Sequence, residues 1–592
     1  MASVLIHCSG IVQGVGFRPF VYRIAVKRNL KGIVLNLGDA GVRIEVEGRK
    51  RDIKSFLRAL RSEKPPLAKY EKIEVKWLPY SGKFDKFSIA VSDEKSRAKG
   101  ISYIPPDIAL CDECRKELFD PKNRRYLYPF IVCSWCGPRF TVIESLPYDR
   151  ERTSMKDFPM CPKCREEYEN PLDRRYHAEP ICCSSCGPKM FLYGSEGDLI
   201  DVENPIREAA KLIDEGYILA IKGIGGVHIA VKTTDDEPVI RLRVRRRKPS
   251  KPFAVMAKDI LTVKRFALVS KEEEKLLLSY RRPIVVLKKS DGYFLSKYIS
   301  PGLHTIGVML PYSGIHELLL YFSREPALVM TSGNYPNQPM VTTNEGAFKL
   351  LSGIVDYFLL HDRRIVNRND DSVIRTVDGK PLLLRRSRGY VPEPIKIPFL
   401  KGENTVLAVG PELRVTGAIL RNGCCYLTQH VGNIENLTMI EALERSLKFM
   451  MRLTGVSKID GIACDLNPVF YTTKLAEELS SQFNVRLIRV QHHHAHIASL
   501  MAELGISPDE NVVGIAIDGV GYGVDGTAWG GEIINASYTS FKRVGHLIPQ
   551  PMPGGDLCAK YPARMAIAIL SQFMEPDEVE NLVKNRLIKG LR

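Results

Sequence analysis

The sequence predicts a multidomain chain of α/β and α+β class, in which a duplicated four-cysteine module separates regions of alternating strands and helices. Its 592 residues are too many for one hydrophobic core. Strand and helix patterns alternate before residue 92 and after residue 200. Eight of the fourteen cysteines lie in four C-x2-C pairs between Cys111 and Cys186. We therefore predict four domains, at 1–92, 101–190, 200–398 and 402–592.

The composition is that of a globular protein. Hydrophobic residues make up 44% and charged residues 26%, so each domain can bury an ordinary core. No basic start precedes a long apolar run, and no apolar stretch has the roughly 18 residues of a membrane helix. We therefore expect a cytoplasmic protein with no membrane partner. Lys and Arg outnumber Asp and Glu by 85 to 68, which favours nucleotides, phosphorylated substrates or nucleic acid as partners.

The first domain has the strand order of a ferredoxin-like βαββαβ sandwich. The turn from its first strand to its first helix reads QGVGFR, from Gln13 to Arg18. Glycines allow the backbone to surround a phosphate, and Arg18 adds a bidentate cation. A glycine-rich turn of this kind is more often only a turn. Asn36, which ends the next strand, is either a water-orienting group or a turn residue.

The second domain is an internal repeat of two fingers. A shift of 50 residues carries each cysteine of the first finger onto one of the second, and Arg-Arg-Tyr at 124–126 onto 174–176. The spacing C-x2-C-x18-C-x2-C fits a tetrahedral four-cysteine zinc site, which is structural because no position is open. We expect metal to replace a hydrophobic core here. The arginines suggest nucleic-acid binding, but no recognition helix follows, so scaffolding is favoured. The predicted ligands are Cys111, Cys114, Cys133, Cys136, Cys161, Cys164, Cys183 and Cys186.

The third domain contains basic and hydroxyl-rich segments suited to phosphates. KGIGGVH, from Lys222 to His228, follows a strand, and TSGN occupies 331–334. Between them, the run RLRVRRRKPSK at 241–251 carries enough cations to neutralise a triphosphate, although such a run alone is usually a solvated basic helix. The stretch 266–280, FALVSKEEEKLLLSY, is predicted as helical.

In the fourth domain, VQHHHAHIAS places a histidine pair at the start of a helix. His492 and His496 are four residues apart and share one helical face, so both can ligate one metal, while His493 and His494 point elsewhere. Asp518 is predicted to end the strand VVGIAIDG and is either a third ligand or a turn former.

Motifs in the first and third domains resemble known families. VQGVGFR followed by G-x-V-x-N resembles acylphosphatase, which implies that Arg18 binds phosphate and Asn36 positions the attacking water. KGxGG, the basic run ending in KP, and S-x-N resemble the YrdC-like nucleotide-binding domain, which implies ATP binding and formation of an acyl-adenylate. The nucleotide-site residues implied are Lys222, Arg243, Lys251, Ser332 and Asn334.

The fourth domain resembles the TsaD-like carbamoyltransferases, of actin/ASKHA type, through QHHHAH, DGxGYGxDGxxWGGE and PMPGGD. That resemblance implies that His492, His496 and Asp518 hold a metal near a bound nucleotide. Two positions depart from the pattern, with Asn433 in place of Asp and Arg414 in place of Lys. The family's domain continues further and supplies another acidic ligand, so we expect a partial domain with an incomplete site here.

The order of the four domains resembles the HypF family of hydrogenase-maturation carbamoyltransferases. This resemblance implies that carbamoyl phosphate and ATP, with Mg, form carbamoyl adenylate with release of phosphate and pyrophosphate. The carbamoyl group then passes to the C-terminal cysteine thiolate of the protein HypE. The implied cofactors are two structural zinc ions and one further divalent metal of unidentified kind in the fourth domain.

Three alternatives remain open on sequence alone. One is another carbamoyl or threonylcarbamoyl transferase with a small-molecule or tRNA acceptor, against which the acylphosphatase-like domain and the paired fingers argue. Another is a zinc-finger nucleic-acid-binding protein, whose binding would weaken steeply with salt. The third is a binding scaffold that retains only the early partial reactions.

Overall fold

The computed structural model describes residues 1–12, 15–37, 41–65, 67–90, 105–146, 148–400, 402 and 404–584. The chain divides into two compact units, one of Met1–Ile395 with Glu412–Ile459 and one of Lys396–Pro411 with Asp460–Arg592. Residues 412–459, which the sequence assigns to the fourth domain, thus belong to the first unit. Among the described residues, no helix is both long enough and apolar enough to cross a bilayer.

The first 90 residues form the predicted ferredoxin-like sandwich. Its elements are β1 (Ala2–Ile11), α1 (Phe17–Val26), β2 (Lys31–Asn36), β3 (Val42–Gly48), α2 (Lys50–Ser62), β4 (Lys69–Leu78) and β5 (Phe87–Ile89). The sheet order is β4-β1-β3-β2-β5. Because β1 and β2 both pair antiparallel with β3, they run in the same direction and end at the same edge of the sheet.

The pattern of apolar residues explains how this domain packs. In β1, Val4 and Ile6 are fully buried, as expected for alternate residues of a strand with one covered face. In α2, Ile53, Phe56 and Leu60 are buried at spacings of three and four and join the same core.

The finger module has little regular structure. Its elements are α3 (Asp112–Leu118), α4 (Pro162–Glu169) and two 3-10 turns, Arg150–Arg152 and Ser154–Asp157. The second finger has only a small buried cluster, as expected where metal replaces a core. The first finger differs from this expectation, because its buried residues belong to a large apolar cluster shared with the third domain.

The third domain is built on a twelve-stranded sheet. The strands are β6 (Met190–Tyr193), β7 (Leu199–Ile200), β8 (Leu219–Lys222), β9 (Val227–Lys232), β10 (Ala254–Ala257), β11 (Ala267–Leu268), β12 (Ile284–Lys289), β13 (Thr305–Met309), β14 (Ala327–Ser332), β15 (Tyr357–His361), β16 (Val373–Val377) and β17 (Lys380–Arg385). Their order is β17-β16-β12-β13-β10-β14-β9-β8-β15-β6-β7, and β11 pairs with β12. The helices are α5 (Pro205–Asp214), α6 (Asp236–Arg245), α7 (Ile260–Phe266), α8 (Lys271–Leu278), α9 (Gly314–Phe322) and α10 (Asn344–Leu351), with a 3-10 turn at Lys297–Ile299.

The helical prediction for 266–280 is wrong in its first half. Residues Ala267–Leu268 form β11, and the helix begins only at Lys271. The reason is a capping box, in which the Ser270 side chain accepts from the Glu273 backbone and the Glu273 side chain accepts from the Ser270 backbone. This reciprocal pair fixes the start of α8 after the strand.

The remaining elements are β18 (Ile395–Lys396), β19 (Val406–Ala408), β20 (Ala418–Arg421), β21 (Cys424–Leu427), α11 (Leu437–Leu453), β22 (Gly461–Asp465), α12 (Tyr471–Phe483), β23 (Arg486–Val490), α13 (His492–Leu504), β24 (Val512–Tyr522), β25 (Ala528–Ala536), β26 (Phe541–His546), α14 (Leu557–Lys560), α15 (Ala563–Leu570) and α16 (Pro576–Leu582). In the first unit, β20 and β21 form a hairpin. In the second unit, β22 pairs in parallel with β19 and β23. The strands β24, β25 and β26 form an antiparallel sheet.

A buried ion pair ties the last strands of the third domain to its centre. Arg388 is fully buried, and its Nε lies 2.6 Å from Asp371 Oδ1. The other guanidinium nitrogens donate to the carbonyls of Arg281 and Arg282 at 3.0 and 2.7 Å. The second oxygen of Asp371 lies 3.0 Å from His228 Nε2.

Arg388→Met should destabilise the first unit by about 3–5 kcal/mol, because it leaves the buried carboxylate of Asp371 without its guanidinium partner. The midpoint of thermal unfolding, followed by calorimetry, should fall clearly. Arg152→Met is the matched control, since its pair with Asp149 is exposed and worth about 0–1 kcal/mol. Equal shifts in the two variants would contradict the assignment.

Candidate functional site

The predicted phosphate-binding motif lies between β1 and α1. Gly16 adopts the left-handed conformation (φ 71°, ψ 21°) at the N-cap of α1, which favours glycine. Arg18 lies in the first turn of this helix and is half-buried. Gln13 and Gly14, also part of the motif, lie outside the described residues.

Asn36 is the last residue of β2. Across the sheet, Val42 of β3 is in register with both Asn36 and Cys8 of β1. Asn36 therefore lies at the sheet edge from which the β1–α1 loop emerges. The topology thus brings the predicted water-positioning residue to the same edge as the predicted phosphate loop.

The eight predicted zinc ligands form two compact clusters. In the first finger, the Sγ separations for Cys111–Cys133, Cys133–Cys136 and Cys136–Cys114 are 3.7, 3.7 and 3.5 Å. The corresponding separations in the second finger are 3.8, 3.8 and 3.6 Å. A tetrahedral ion with bonds of about 2.3 Å requires S–S edges of about 3.8 Å. Both clusters therefore fit structural zinc.

The repeated arginines of each finger bind the cluster of the other finger. Arg124 Nη2 donates to Cys164 Sγ at 3.2 Å, and Arg174 Nη1 donates to Cys114 Sγ at 3.1 Å. Arg125 also pairs with Glu167 on α4, at 2.5 Å. These guanidinium groups are thus engaged inside the module, which removes the main support for nucleic-acid-binding fingers. Sequence analysis noted the repeat of the arginines but not this exchange between the fingers.

In the third domain, Lys222 is the last residue of β8 and is buried. Its Nζ donates to Asn344 Oδ1 at 2.8 Å and to the carbonyl of His361 at 2.9 Å. Burial, reinforced by the nearby cation of Arg363, lowers the pKa of Lys222 to about 8. A lysine whose pKa is lowered by burial gains most when an anion binds beside it.

The structure assigns different positions to two neighbouring arginines. Arg243, a predicted nucleotide ligand, directs its guanidinium at five backbone carbonyls, those of Tyr298, Ile299, Lys248, Pro249 and Lys251. It therefore holds the loop 248–251 in shape. Arg246, which sequence analysis did not select, is fully buried and bonds Thr331 Oγ1 at 2.8 Å and Asn334 Oδ1 at 2.9 Å. It orders the TSGN segment, in which Ser332 Oγ also donates to Asn334 Oδ1 at 2.9 Å.

Lys248 and Lys251 lie in a region dense in cations. Burial, with the charges of Arg246 and Lys251, lowers the pKa of Lys248 to about 7. Desolvation and then the charge of Arg385 lower the pKa of Lys251. Such a concentration of positive charge fits a polyphosphate ligand.

His430 belongs to the same charged region, although the sequence places it in the fourth domain. Burial and the charge of Arg385 lower the pKa of His430 to about 4. The positions that depart from the TsaD-like pattern lie on this same segment of the first unit, where the Arg414 backbone N–H donates to Asn433 Oδ1 at 3.1 Å. Sequence analysis did not select His430. The one sequence feature that could have pointed to it is its place in the segment QHVGNIEN, three residues before Asn433.

In the second unit, the predicted metal ligands converge. His492 Nε2 lies 2.9 Å from Asp518 Oδ2 and 3.2 Å from His496 Nε2, and His496 Nε2 lies 3.6 Å from the same carboxylate oxygen. The sequence predicted that Asp518 ends a strand, and this prediction is wrong. Instead β24 continues to Tyr522, and its pairing with β25 shifts register between Ile517 and Gly521. This irregularity lies beside the histidine pair.

Asp465, at the end of β22, was not predicted and lies behind this group. Its Oδ2 is 2.7 Å from His492 Nδ1, and this bond, more than the opposing effect of burial, raises the pKa of His492. A carboxylate on the far nitrogen orients a metal-binding imidazole, so the donor set fits a divalent cation. His494 points elsewhere, with Nε2 2.8 Å from the carbonyl of Ser537.

Family comparisons cover nearly the whole chain. The acylphosphatase family matches 4–89, the HypF finger matches 110–143 and 160–193, and the Sua5/YciO/YrdC family, described as telomere recombination, matches 211–387. The HypF Kae1-like domain matches 401–503, and the second subdomain of the carbamoyltransferase Kae1-like domain matches 514–589.

Three relatives match nearly the whole of this chain. The chain is 51% identical to the "Probable carbamoyltransferase HypF" of Methanocaldococcus jannaschii, over 96% of this chain and 73% of the relative. It is 44% identical to "Carbamoyltransferase HypF2" of Cupriavidus necator, over 98% of this chain and 73% of the relative. The crystal structure of T. kodakarensis HypF superposes with a TM-score of 0.91 at 53% identity, covering 99% of this chain and 74% of that one.

An acylphosphatase-family sandwich, paired four-cysteine fingers, a cation-rich α/β domain and a histidine–aspartate cluster define a multidomain group-transfer enzyme. The identity and shared length of its relatives show that this chain belongs to the HypF carbamoyltransferase family.

Arg174→Gln should weaken zinc binding at the first cluster by about 10–100-fold, because it removes a cation bonded to Cys114 Sγ. The second cluster, in the finger that carries Arg174, should keep its metal. Partial chelation followed by cysteine alkylation and mass spectrometry reads the two clusters separately. Arg124→Gln should give the mirror result, and exposed Arg165→Gln is the control. If each variant instead lost zinc first from the finger that carries the substituted arginine, the bonding of each arginine to the opposite cluster would be contradicted.

Pyrophosphate affinity should fall as pH rises from about 7 to about 9, by up to about tenfold for each pH unit above a lysine's pKa. The physical reason is that Lys248 and Lys222 lose their positive charge as the pH rises through their pKa values of about 7 and about 8. Isothermal titration calorimetry across this range measures the effect. Lys222→Met should bind more weakly at pH 7 and show a shallower decline. An unchanged slope in this variant would exclude Lys222 as an anion ligand.

Proposed function

We propose that this chain forms carbamoyl adenylate from carbamoyl phosphate and ATP, and transfers the carbamoyl group to the C-terminal cysteine thiolate of HypE during maturation of NiFe hydrogenase. The observation that carries the proposal is the combination, in one unit, of an acylphosphatase-like loop and a separate polyphosphate-type site with buried Lys222. A relative crystallised as full-length HypF in a phosphate- and nucleotide-bound form is 42% identical and has a TM-score of 0.86. Its bound groups match the two kinds of ligand proposed here.

The first step is hydrolysis of carbamoyl phosphate at the N-terminal site. Water attacks phosphorus, the bond from phosphorus to the carbamoyl oxygen breaks, and carbamate and inorganic phosphate result. Arg18 would bind the phosphoryl oxygens in a bidentate manner, and the N-terminus of α1 adds backbone N–H donors. Asn36, at the same sheet edge, would hold the attacking water.

The second step joins carbamate to ATP. A carbamate oxygen attacks the α-phosphorus and pyrophosphate leaves, so the reaction yields carbamoyl adenylate. Lys222 and Lys251 would stabilise the charge that develops on the phosphates, which ATP brings in with its Mg ion. Ser332 and Asn334, ordered by Arg246, would donate to the nucleotide. We assign Arg243 to shaping the loop that carries Lys251.

The third step takes place at the second unit. The thiolate of the acceptor cysteine attacks the carbamoyl carbon, the bond to the phosphate oxygen breaks, and AMP leaves. His492, His496 and Asp518 would hold a divalent cation, which supplies Lewis-acid stabilisation of phosphate or acyl oxygen when bound. Asp465 fixes the orientation of His492 for this purpose.

The purified chain should release AMP and pyrophosphate from ATP only when carbamoyl phosphate is present. Arg18→Ala should abolish carbamoyl-phosphate-dependent release of both phosphate and pyrophosphate. Lys222→Ala should abolish pyrophosphate release and keep phosphate release, because only its own site is affected. Exposed Arg51→Ala and Lys264→Ala, from the same two domains, are the matched controls. Full activity of Arg18→Ala, or AMP formation without carbamoyl phosphate, would refute the reaction sequence.

A further inference from the structure

The finger module packs against Gly16, where the acylphosphatase-like motif enters helix α1. A Cβ atom placed on Gly16 would lie 3.0 Å from Trp135 Cδ1 and 3.1 Å from both Trp135 Nε1 and Ser134 Oγ. Ser134 and Trp135 belong to the first finger, between the ligands Cys133 and Cys136. The indole ring therefore lies directly against the backbone of Gly16.

Helix α1 also contacts the finger module through Arg23, in its last turn. The guanidinium of Arg23 lies 5.7 Å from the centre of the Trp135 ring, and its Nη1 donates to the carbonyl of Asp173 at 3.3 Å. Ser134 Oγ donates to the carbonyl of Arg174 at 2.9 Å. Residues of both fingers thus fix the position of the indole ring relative to the loop.

Two residues of the second finger, Tyr176 and His177, lie near enough to Arg18 for its charge to act on them. The charge of Arg18 acts together with burial to lower the pKa of His177, and it also acts on the Tyr176 phenol. His177 is held with φ 48°, and its ring packs against Tyr176 and Tyr168 with centroid distances of 4.4 and 4.8 Å.

We propose that the finger module forms the outer wall of the acyl phosphate site, and that Trp135 is the residue that restricts the acyl group to one as small as carbamoyl. This inference rests on the proposed function. Trp135 and His177 both belong to the finger module, so the sequence of the ferredoxin-like sandwich does not supply them. A rigid aromatic wall admits a planar group of three heavy atoms and excludes a larger acyl group, while the phosphoryl group keeps its ligands.

The test compares hydrolysis of carbamoyl phosphate and benzoyl phosphate by the full chain. Trp135→Ala should lower the ratio of kcat/KM for carbamoyl over benzoyl phosphate by at least about tenfold, mainly through a gain with benzoyl phosphate. Trp135→Phe should restore a ratio near that of the unmodified chain, since it keeps an aromatic wall. Trp77→Ala, an exposed tryptophan on β4, is the matched control.

Zinc content must be measured for each variant, because Trp135 lies between two ligands. Its contact with the cluster is a backbone N–H that donates to Cys133 Sγ at 3.4 Å, and every substitution keeps that bond. If Trp135→Ala loses zinc, His177→Asn decides the question. It removes the ring, tolerates the left-handed backbone and should also lower the ratio.

If Trp135→Ala keeps its zinc and its kcat/KM ratio is unchanged, this inference is overturned and the proposed function stays intact. If Trp135→Ala loses zinc, an unchanged ratio in His177→Asn has the same consequence. Failure of the unmodified chain to hydrolyse either acyl phosphate refutes the first step of the proposed function, and this inference with it.

Discussion

In its described residues the finger module has only short helices and isolated bridges, so its shape depends on two clusters of four thiolates. Each cluster gathers residues more than twenty positions apart into edges of 3.5–3.8 Å, and arginines from the opposite finger bond to the sulfurs. Metal and guanidinium together would neutralise the charge of the thiolates, which otherwise repel one another. Neither finger can therefore be shaped independently of the other.

The neighbouring domains of the first unit depend on this module for their position. On one side, Trp135 and Ser134 contact the loop that precedes α1. On the other side, the backbone N–H of Leu110 donates to the carbonyl of Tyr312 at 3.1 Å. A Cβ atom on Gly314, at the start of α9, would lie 2.5 Å from the carbonyl oxygen of Pro129, so only glycine allows so close an approach. A module without its own large core thus packs against the neighbouring domains on both of its sides.

Electrostatics separates the roles of these sites. The third domain gathers buried or half-buried lysines and arginines whose pKa values are lowered, an arrangement that is costly until an anion binds. The second unit instead places Asp465 and Asp518 on either side of His492, which keeps that imidazole in one orientation and suits a cation. The charges of the first region thus suit phosphates, and those of the second suit a metal ion.

Much of this molecule follows from local sequence. The spacing of the eight cysteines determines both clusters, because a C-x2-C pair spans one edge of a tetrahedron. Alternation in β1 and the i,i+4 pair His492 and His496 likewise need only local geometry. In contrast, the side chains that act across the fold depend on contacts between distant segments, and no local pattern contains them. Only the tertiary structure showed that Arg243 holds a loop while Arg246 orders TSGN, that Asp465 supports His492, and that Trp135 covers Gly16.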